Sequence, residues 1–453
     1  MKKKKYFGTD GIRGKVNVHP ITPDFFFKLG KSINIFSNKK ANKQIFIGRD
    51  TRQSGQILED SLLRAFSSDG FECHLLGVVS TPIVSFMTKF FSADFGLMIS
   101  ASHNQYYDNG VKVFKKNGEK LSDNEELILE EIIDNLYKEK EIQTSKTIRK
   151  QNNIVAYYNK ILSTVRSDLS LSNIKVVIDC ANGSLSNIAP EIFSKIGLNF
   201  VTMNNYPDGK NINNQCGSLF PEFLSKDVLQ NKADLGIAFD GDGDRLIISD
   251  ENGEIINGDK IMAITCRSML RQNKLKGNGI VATHMSNIGL EDFLSTEKIG
   301  LYRSDVGDKY VVEMMKKKKC NFGGEQSGHF IFSDYSFTGD ALLSALQILS
   351  ILEIENKSIN EHLKNYQTFP QILENLKISK DPEIILQNIK LYEYINQIKK
   401  KKIKNHLMIL VRKSGTEKLI RVMVQSRCNK LTNSVKNDII NIILETDQLC
   451  QRV

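Results

Sequence analysis

The sequence predicts an α/β protein, with three similar α/β domains on mixed, mainly parallel sheets and a small C-terminal α+β domain. Two observations predict it. Short apolar runs alternate with helical patterns over roughly the first 370 residues, as βαβ units require. The pattern then gives way to a hairpin-like strand pair and a helix. The length of 453 residues suits about three domains.

In order, strand-like runs fall at residues 44–48, 95–99, 176–179, 235–239 and 279–283. Helical periodicity covers 55–66, 123–138 and 259–270. Two stretches read as exposed connections: the charged segment 138–153, and 367–382, which holds Pro370 and Pro382. Beyond them, 407–411 and 419–424 flank a polar loop and 433–444 is helical. These breaks divide the chain into residues 1–150, 151–255, 256–370 and 371–453. The spacing suggests three related units, although no repeat is visible residue by residue.

Composition narrows the function. The chain is 40% hydrophobic and 25% charged, ordinary for a globular protein, with a formal net charge of +10. Its lysines are dispersed, as at 2–5, 316–319 and 399–402, with no basic stripe interleaved with aromatics. That argues against nucleic acid and for solvated lysine faces. The seven cysteines (73, 180, 216, 266, 320, 428, 450) show no CxxC and no metal-ligand spacing, so free thiols in a reducing cytoplasm are expected. No apolar run approaches a membrane span, and the basic start leads into Tyr6-Phe7-Gly8, not a signal sequence.

The most informative segment is Asp240-Gly241-Asp242-Gly243-Asp244-Arg245, directly after the apolar run 235–239. Three carboxylates this close repel unless a cation lies among them. All-oxygen ligation suits Mg²⁺ or Ca²⁺. An EF-hand would also place Asp at positions 1, 3 and 5, but its position 6 is Gly and here is Arg245. The flanks 235–239 and 246–249 read as strands, not helices, so Mg²⁺ with room for phosphate oxygens is the better reading.

A second signal is Ser100-Ala101-Ser102-His103-Asn104, at the end of the run 95–99. Such a turn is where open α/β sheets put ligands, though the same residues suit a helix N-cap. The G-x-S-x-G elbow of serine hydrolases is absent. Beside an Asp-rich metal loop, Ser102 is a candidate phosphoryl carrier. Three more loops fit phosphate and sugar chemistry. Residues 7–14 surround Arg13 with glycines; residues 324–329 offer Glu325, Ser327 and His329 between glycines; residues 412–417 combine Arg412, Ser414, Gly415 and Thr416, with Arg421 following.

Taken in order, these motifs resemble the α-D-phosphohexomutase superfamily. Within it, Pro207-Asp208-Gly209, residues 211–213, Cys216-Gly217-Ser218, Met285-Ser286-Asn287 and Gln326 are similar to the bacterial phosphoglucosamine mutases. The resemblance implies an active site in a central cleft and one Mg²⁺ per subunit, held by Asp240, Asp242, Asp244 and a phosphate oxygen on Ser102. It implies an isomerase interconverting glucosamine 6-phosphate and glucosamine 1-phosphate through phosphoserine and a 1,6-bisphosphate, supplying amino sugar for UDP-N-acetylglucosamine and the cell wall. It further implies a sugar 1,6-bisphosphate, or autophosphorylation, as the activator of Ser102. Arg13, Lys112 and His329 are implied in proton transfer and charge stabilisation. His103, Arg245, Glu325, Ser327, Arg412, Ser414, Gly415, Thr416 and Arg421 are implied in binding the phosphosugar. A homodimer is also implied.

Departures are Gln105 and Lys418, where proline is usual, and Gln425-Ser426, where Glu-Gly is common. None removes a reacting group. Three alternatives remain: a sister mutase for glucose or mannose phosphates, a hydrolase passing phosphate from Ser102 to water, and a non-catalytic phosphosugar binder. The last would ordinarily show a lost serine or a broken Asp triplet.

Overall fold

The computed structural model describes residues 4–37, 43–136, 148–150, 154–401, 406–413 and 419–449. Four sheets follow one another along the chain. The first has six strands in the order Ile12–Lys15, Asp108–Lys115, Phe95–Ile99, Gln44–Arg49, Glu72–Val78, Ile148–Lys150. Its first two pairings are antiparallel and the other three parallel. The second runs Ile255–Ile256, Leu246–Asp250, Leu235–Phe239, Lys175–Asp179, Asn199–Met203. The third runs Gly300–Ser304, Gly279–Thr283, Phe322–Gly324, Phe330–Phe332. Both again mix parallel and antiparallel pairs. The fourth is a small antiparallel sheet, Gln371–Lys377, Leu419–Gln425, Met408–Lys413, backed by the helix Asn429–Leu449.

Unbroken apolar runs become central strands. Phe95–Ile99, Leu235–Phe239 and Gly279–Thr283 are buried at every residue, as strands covered by helices on both faces should be. Helix ends follow local chemistry. Ser122 and Glu125 form a capping box at Asp123–Asn135, and Asn257 caps Gly258–Arg271. The helix Ala341–Glu355 is apolar almost all round and buried along most of its length. Its Leu346 belongs to a continuous core that joins the first three sheets: Phe46 and Met98 from the first, Ile178 and Phe239 from the second, Ile280 and Phe322 from the third.

One expectation fails. The segment 367–382 is not only a connection, because Gln371–Lys377 is an edge strand pairing with Leu419–Gln425. Its alternation is weak and Leu373 is half exposed, so its strand character comes from the pairing and from Leu376 on the small domain's core. Of the segment 138–153, only the strand Ile148–Lys150 lies within the described residues. The six described cysteines are free. No helix among the described residues is long and apolar enough to cross a membrane.

Asp340 caps the buried helix Ala341–Glu355, accepting from Leu343 N at 3.0 Å, and Tyr157 Oη donates to its two oxygens at 3.0 and 3.1 Å. Burial pushes its carboxyl up to about 6 despite those donors. That is above an unfolded value of about 3.9, so the group's stabilising contribution is complete below that value and is lost as pH rises through about 6. In Asp340→Asn this dependence should vanish. Between about pH 4.5 and 7, wild type should lose about 2 kcal/mol relative to the variant, measured by urea unfolding at each pH.

Candidate active site

The candidate loops are hairpin connections at equivalent places. Residues 100–107 join Phe95–Ile99 to antiparallel Asp108–Lys115; 240–245 join Leu235–Phe239 to Leu246–Asp250; 325–329 join Phe322–Gly324 to Phe330–Phe332. Each leaves the end of a strand paired in parallel on its other side. The fourth loop connects Met408–Lys413 to Leu419–Gln425, and its Ser414, Gly415 and Thr416, with Lys418, lie outside the described residues.

The first three loops meet closely enough to require glycine. A Cβ on Gly241 would lie 2.7 Å from the Ser102 carbonyl oxygen. Gly328 has φ +89°, and a Cβ there would lie 2.1 Å from the Leu246 oxygen. Gly328 O in turn accepts from Leu246 N at 3.0 Å, so the loop 325–329 is paired with the strand that leaves the Asp loop.

Ser102 is fully buried, and its Oγ donates to Asp240 Oδ2 at 2.6 Å. It adopts φ +52°, the left-handed region that a serine enters only when its surroundings hold it there. His103 Nδ1 lies 3.4 Å from the same hydroxyl. Burial and the charges of Arg245 and Arg13 lower His103 to about 2, so its ring is neutral.

Asp240, Asp242 and Asp244 are all buried, with carboxylate oxygens within 4.8 Å of one another. Burial, then Asp244 and Asp242, push the Asp240 carboxyl well above its usual range. Oδ1 of both Asp242 and Asp244 is buried without a hydrogen-bond partner. Crowded, underused carboxylate oxygens fit a divalent cation, and the donor set suits a hard one. Thr81 holds the loop from the first domain, its Oγ1 donating to Asp242 Oδ2 at 2.5 Å.

Lys112 enters this cluster from the strand Asp108–Lys115. Its ammonium is 2.7 Å from Oδ2 of both Asp242 and Asp244 and 3.0 Å from Asp10, and the residue is 1% exposed. Burial opposes its charge, but the three carboxylates win and hold its pKa well above the ordinary lysine value. Arg13 pairs with Asp10. Lys120 bridges Asp10 and Asp308, joining the first domain to the third. His329 lies between Asp244 and Asp308, at 3.6 and 3.5 Å. Burial disfavours its protonation, but the two carboxylates outweigh that and raise it to about 10. The Gly339 amide at 3.0 Å from Nε2 suits a neutral ring, yet one amide dipole is weaker than two carboxylates.

Asp10, Lys120 and Asp308 are additions that the sequence reading passes over. Asp10 carried a signal, since it sits between glycines beside Arg13; Asp308 follows Gly307 at a helix start; Lys120 is one lysine among many.

Charge links the remaining described candidates to this cluster: Arg245 lies within range of Asp244 and Glu325, and Arg412 within range of Glu325. Arg245 Nε is buried and 3.8 Å from Asp244 Oδ1, with no hydrogen-bond partner. Glu325 accepts from Gly307 N at 3.1 Å, and Ser327 Oγ lies 3.4 Å from its other oxygen. Gln326 reaches Asp259 at 2.9 Å and Gln371 of the fourth sheet at 3.2 Å. Arg412 and Arg421 stand directly opposite each other on paired strands, each with a buried, unpartnered Nε. Burial and Arg421 lower the Arg412 pKa, against the pull of Glu325. Like charges so placed repel, and an anion relieves them.

Four models of phosphoglucomutase/phosphomannomutase domains match in order: α/β/α domain I at residues 4–140, II at 155–253, III at 257–369 and the C-terminal domain at 360–442. The chain belongs to the α-D-phosphohexomutase superfamily. Among relatives of this phosphohexomutase, it is 42% identical to the phosphoglucosamine mutases of Brucella ovis and Agrobacterium fabrum, over 97% of the chain and 98% of each relative. Solved structures share the fold. A phosphoglucomutase/phosphomannomutase family protein from Burkholderia thailandensis has a TM-score of 0.79 at 20% identity, covering 97% of both chains. An Aspergillus fumigatus N-acetylphosphoglucosamine mutase, complexed with GlcNAc-6P and magnesium, has 0.68 at 16%, covering 98% and 96%.

Replacing the Lys112 ammonium should be costly, because it leaves buried carboxylates without their counter-charge. Lys112→Met in metal-free buffer should lose about 3–5 kcal/mol, read from the denaturation midpoint against wild type.

Proposed function

We infer that this phosphohexomutase interconverts glucosamine 6-phosphate and glucosamine 1-phosphate, with Ser102 as the phosphoryl carrier. The observation that carries the reading is the Ser102 hydroxyl, buried and aimed at Asp240 beside two further carboxylates. The amino sugar is supported by phosphoglucosamine mutases being 42% identical over nearly the whole chain.

In the first half-reaction, the sugar 1-hydroxyl attacks the phosphorus on Ser102. The P–Oγ bond breaks, the P–O1 bond forms, and the proton lost by O1 is balanced by the one gained at Oγ. The resulting bisphosphate turns in the cleft. Ser102 then attacks its 6-phosphate, giving up the Oγ proton while O6 gains one. Asp240 orients that hydroxyl, as it does at 2.6 Å here. Carrying the group on the protein divides one transfer into two steps. Lys112, Arg13 and Arg245 stabilise charge, and His329, protonated between Asp244 and Asp308, is suited to donate a proton. Glu325 and Ser327 hold sugar hydroxyls. Arg412 and Arg421, with the loop of Ser414, Gly415 and Thr416, grip the phosphate that is not reacting. Asp240, Asp242 and Asp244 would hold one Mg²⁺, which neutralises phosphoryl charge during transfer. A sugar 1,6-bisphosphate or autophosphorylation charges Ser102. The enzyme works in the cytoplasm, as a homodimer.

The test is ³¹P NMR of glucosamine 6-phosphate with the protein, Mg²⁺ and a trace of sugar bisphosphate. Glucosamine 1-phosphate should appear, and Ser102→Ala should abolish it. Free phosphate would indicate a hydrolase, and faster turnover of glucose or mannose phosphates a sister mutase. Separately, Mg²⁺ at a hundredfold excess over its Kd should stabilise wild type by about 2.7 kcal/mol. The gain should disappear with chelator and in Asp240→Asn.

A further inference from the structure

Arg52 lies outside every motif considered above, yet among the described residues it is the largest fully buried side chain, at 1% exposed. It follows the strand Gln44–Arg49, in a turn of the first domain that reaches the second: Thr51 Oγ1 donates to Asn182 O at 2.6 Å and Gln53 N to Gly209 O at 2.9 Å. Its guanidinium has five N–H donors, and all five have acceptors. Nε donates to Asp50 Oδ2 at 2.9 Å. Nη2 donates to the carbonyls of Ser102 and Asn104 at 2.8 and 2.9 Å, and Nη1 to those of Gln105 and Asp108 at 2.5 and 3.1 Å. One side chain thus grips four carbonyls around the serine loop.

The other side of Ser102 is tied to the same ion pair. Ser102 N donates to Ser100 Oγ at 2.8 Å, and Ser100 Oγ donates to Asp50 Oδ2 at 2.6 Å. The second domain adds Asn213, whose Nδ2 donates to the carbonyls of Ser102 and Asn104 at 2.8 and 2.9 Å. Gln105, where proline is usual, returns a bond from Nε2 to Asn213 O at 3.0 Å. Both peptide groups flanking the Ser102 Cα are therefore fixed, which accounts for a serine held at φ +52°. A lysine in place of Arg52 keeps the pairing with Asp50 but cannot serve four carbonyls in this fork.

We propose that Arg52, with Asp50 and Ser100, is the positioning device that holds Ser102 in line for phosphoryl transfer. It acts on the rate of transfer and leaves sugar binding to the other loops. The proposal rests on the carrier role of Ser102 inferred above.

The test compares wild type, Arg52→Lys and Ser100→Ala after charging Ser102 with a ³²P-labelled sugar bisphosphate. Single-turnover transfer to glucosamine 6-phosphate gives a rate constant that a smaller folded fraction does not change. Misplacement by about 1 Å costs on the order of a hundredfold, the loss expected for Arg52→Lys. Ser100→Ala, missing one buried link, should lose about tenfold. KM should stay within about twofold of wild type in both. Ser100→Ala removes a single oxygen and decides the matter if Arg52→Lys does not fold. Wild-type rate constants in the folded variants, or a rise in KM with an unchanged rate constant, would overturn the proposal while leaving the mutase intact. If wild type takes no label on Ser102, the carrier reading falls and the proposal with it.

Discussion

The cleft depends on one balance of charge. Asp10, Asp240, Asp242, Asp244 and Asp308 are brought together from three parts of the chain, and most of their carboxylates are out of water. Without counter-charge this assembly would drive the domains apart. Lys112 and Lys120 supply it from the first domain, and each touches carboxylates belonging to another. The same contacts that neutralise the site therefore hold the first domain against the second and third. Asp240, which pairs with neither lysine, has its carboxyl pushed well above the usual range by burial and then by Asp244 and Asp242, and it is the one facing Ser102.

Geometry comes from topology. In each of the first three sheets a parallel strand ends in a loop and returns antiparallel, and that loop holds the candidate site residues. The repeat is structural, with little trace in the residues, because what recurs is the direction of a strand. Each loop then took a composition of its own: a hydroxyl in the first, carboxylates in the second, a glutamate and a histidine in the third. The fourth hairpin brings paired arginines to a cleft otherwise rich in acid.

Much of this was legible in the sequence where a local pattern matched a three-dimensional role. Phe95–Ile99, Leu235–Phe239 and Gly279–Thr283 are read correctly because a strand covered on both faces must be apolar throughout. The Asp triplet is visible because its ligands are close in sequence. Gln371–Lys377 was hidden, since an edge strand takes its identity from a partner some fifty positions away. Arg52 and Lys120 were hidden for a different reason. A lone basic residue reads as a surface charge, and only the folded chain shows that one sits under the serine loop and the other between two domains.

The start of the buried helix ties the end of the third domain to the Asp loop: Ala341 N donates to Gly243 O at 3.1 Å, and the helix packs beneath the strand Leu246–Asp250. A ribosome must therefore release about three quarters of the polypeptide before the Asp loop has its floor. Until then Gly243 O lacks its donor and the strand Leu246–Asp250 lacks the helix that covers it. A truncated product ending before Ala341 therefore lacks part of the Asp loop's support as well as the later fourth hairpin.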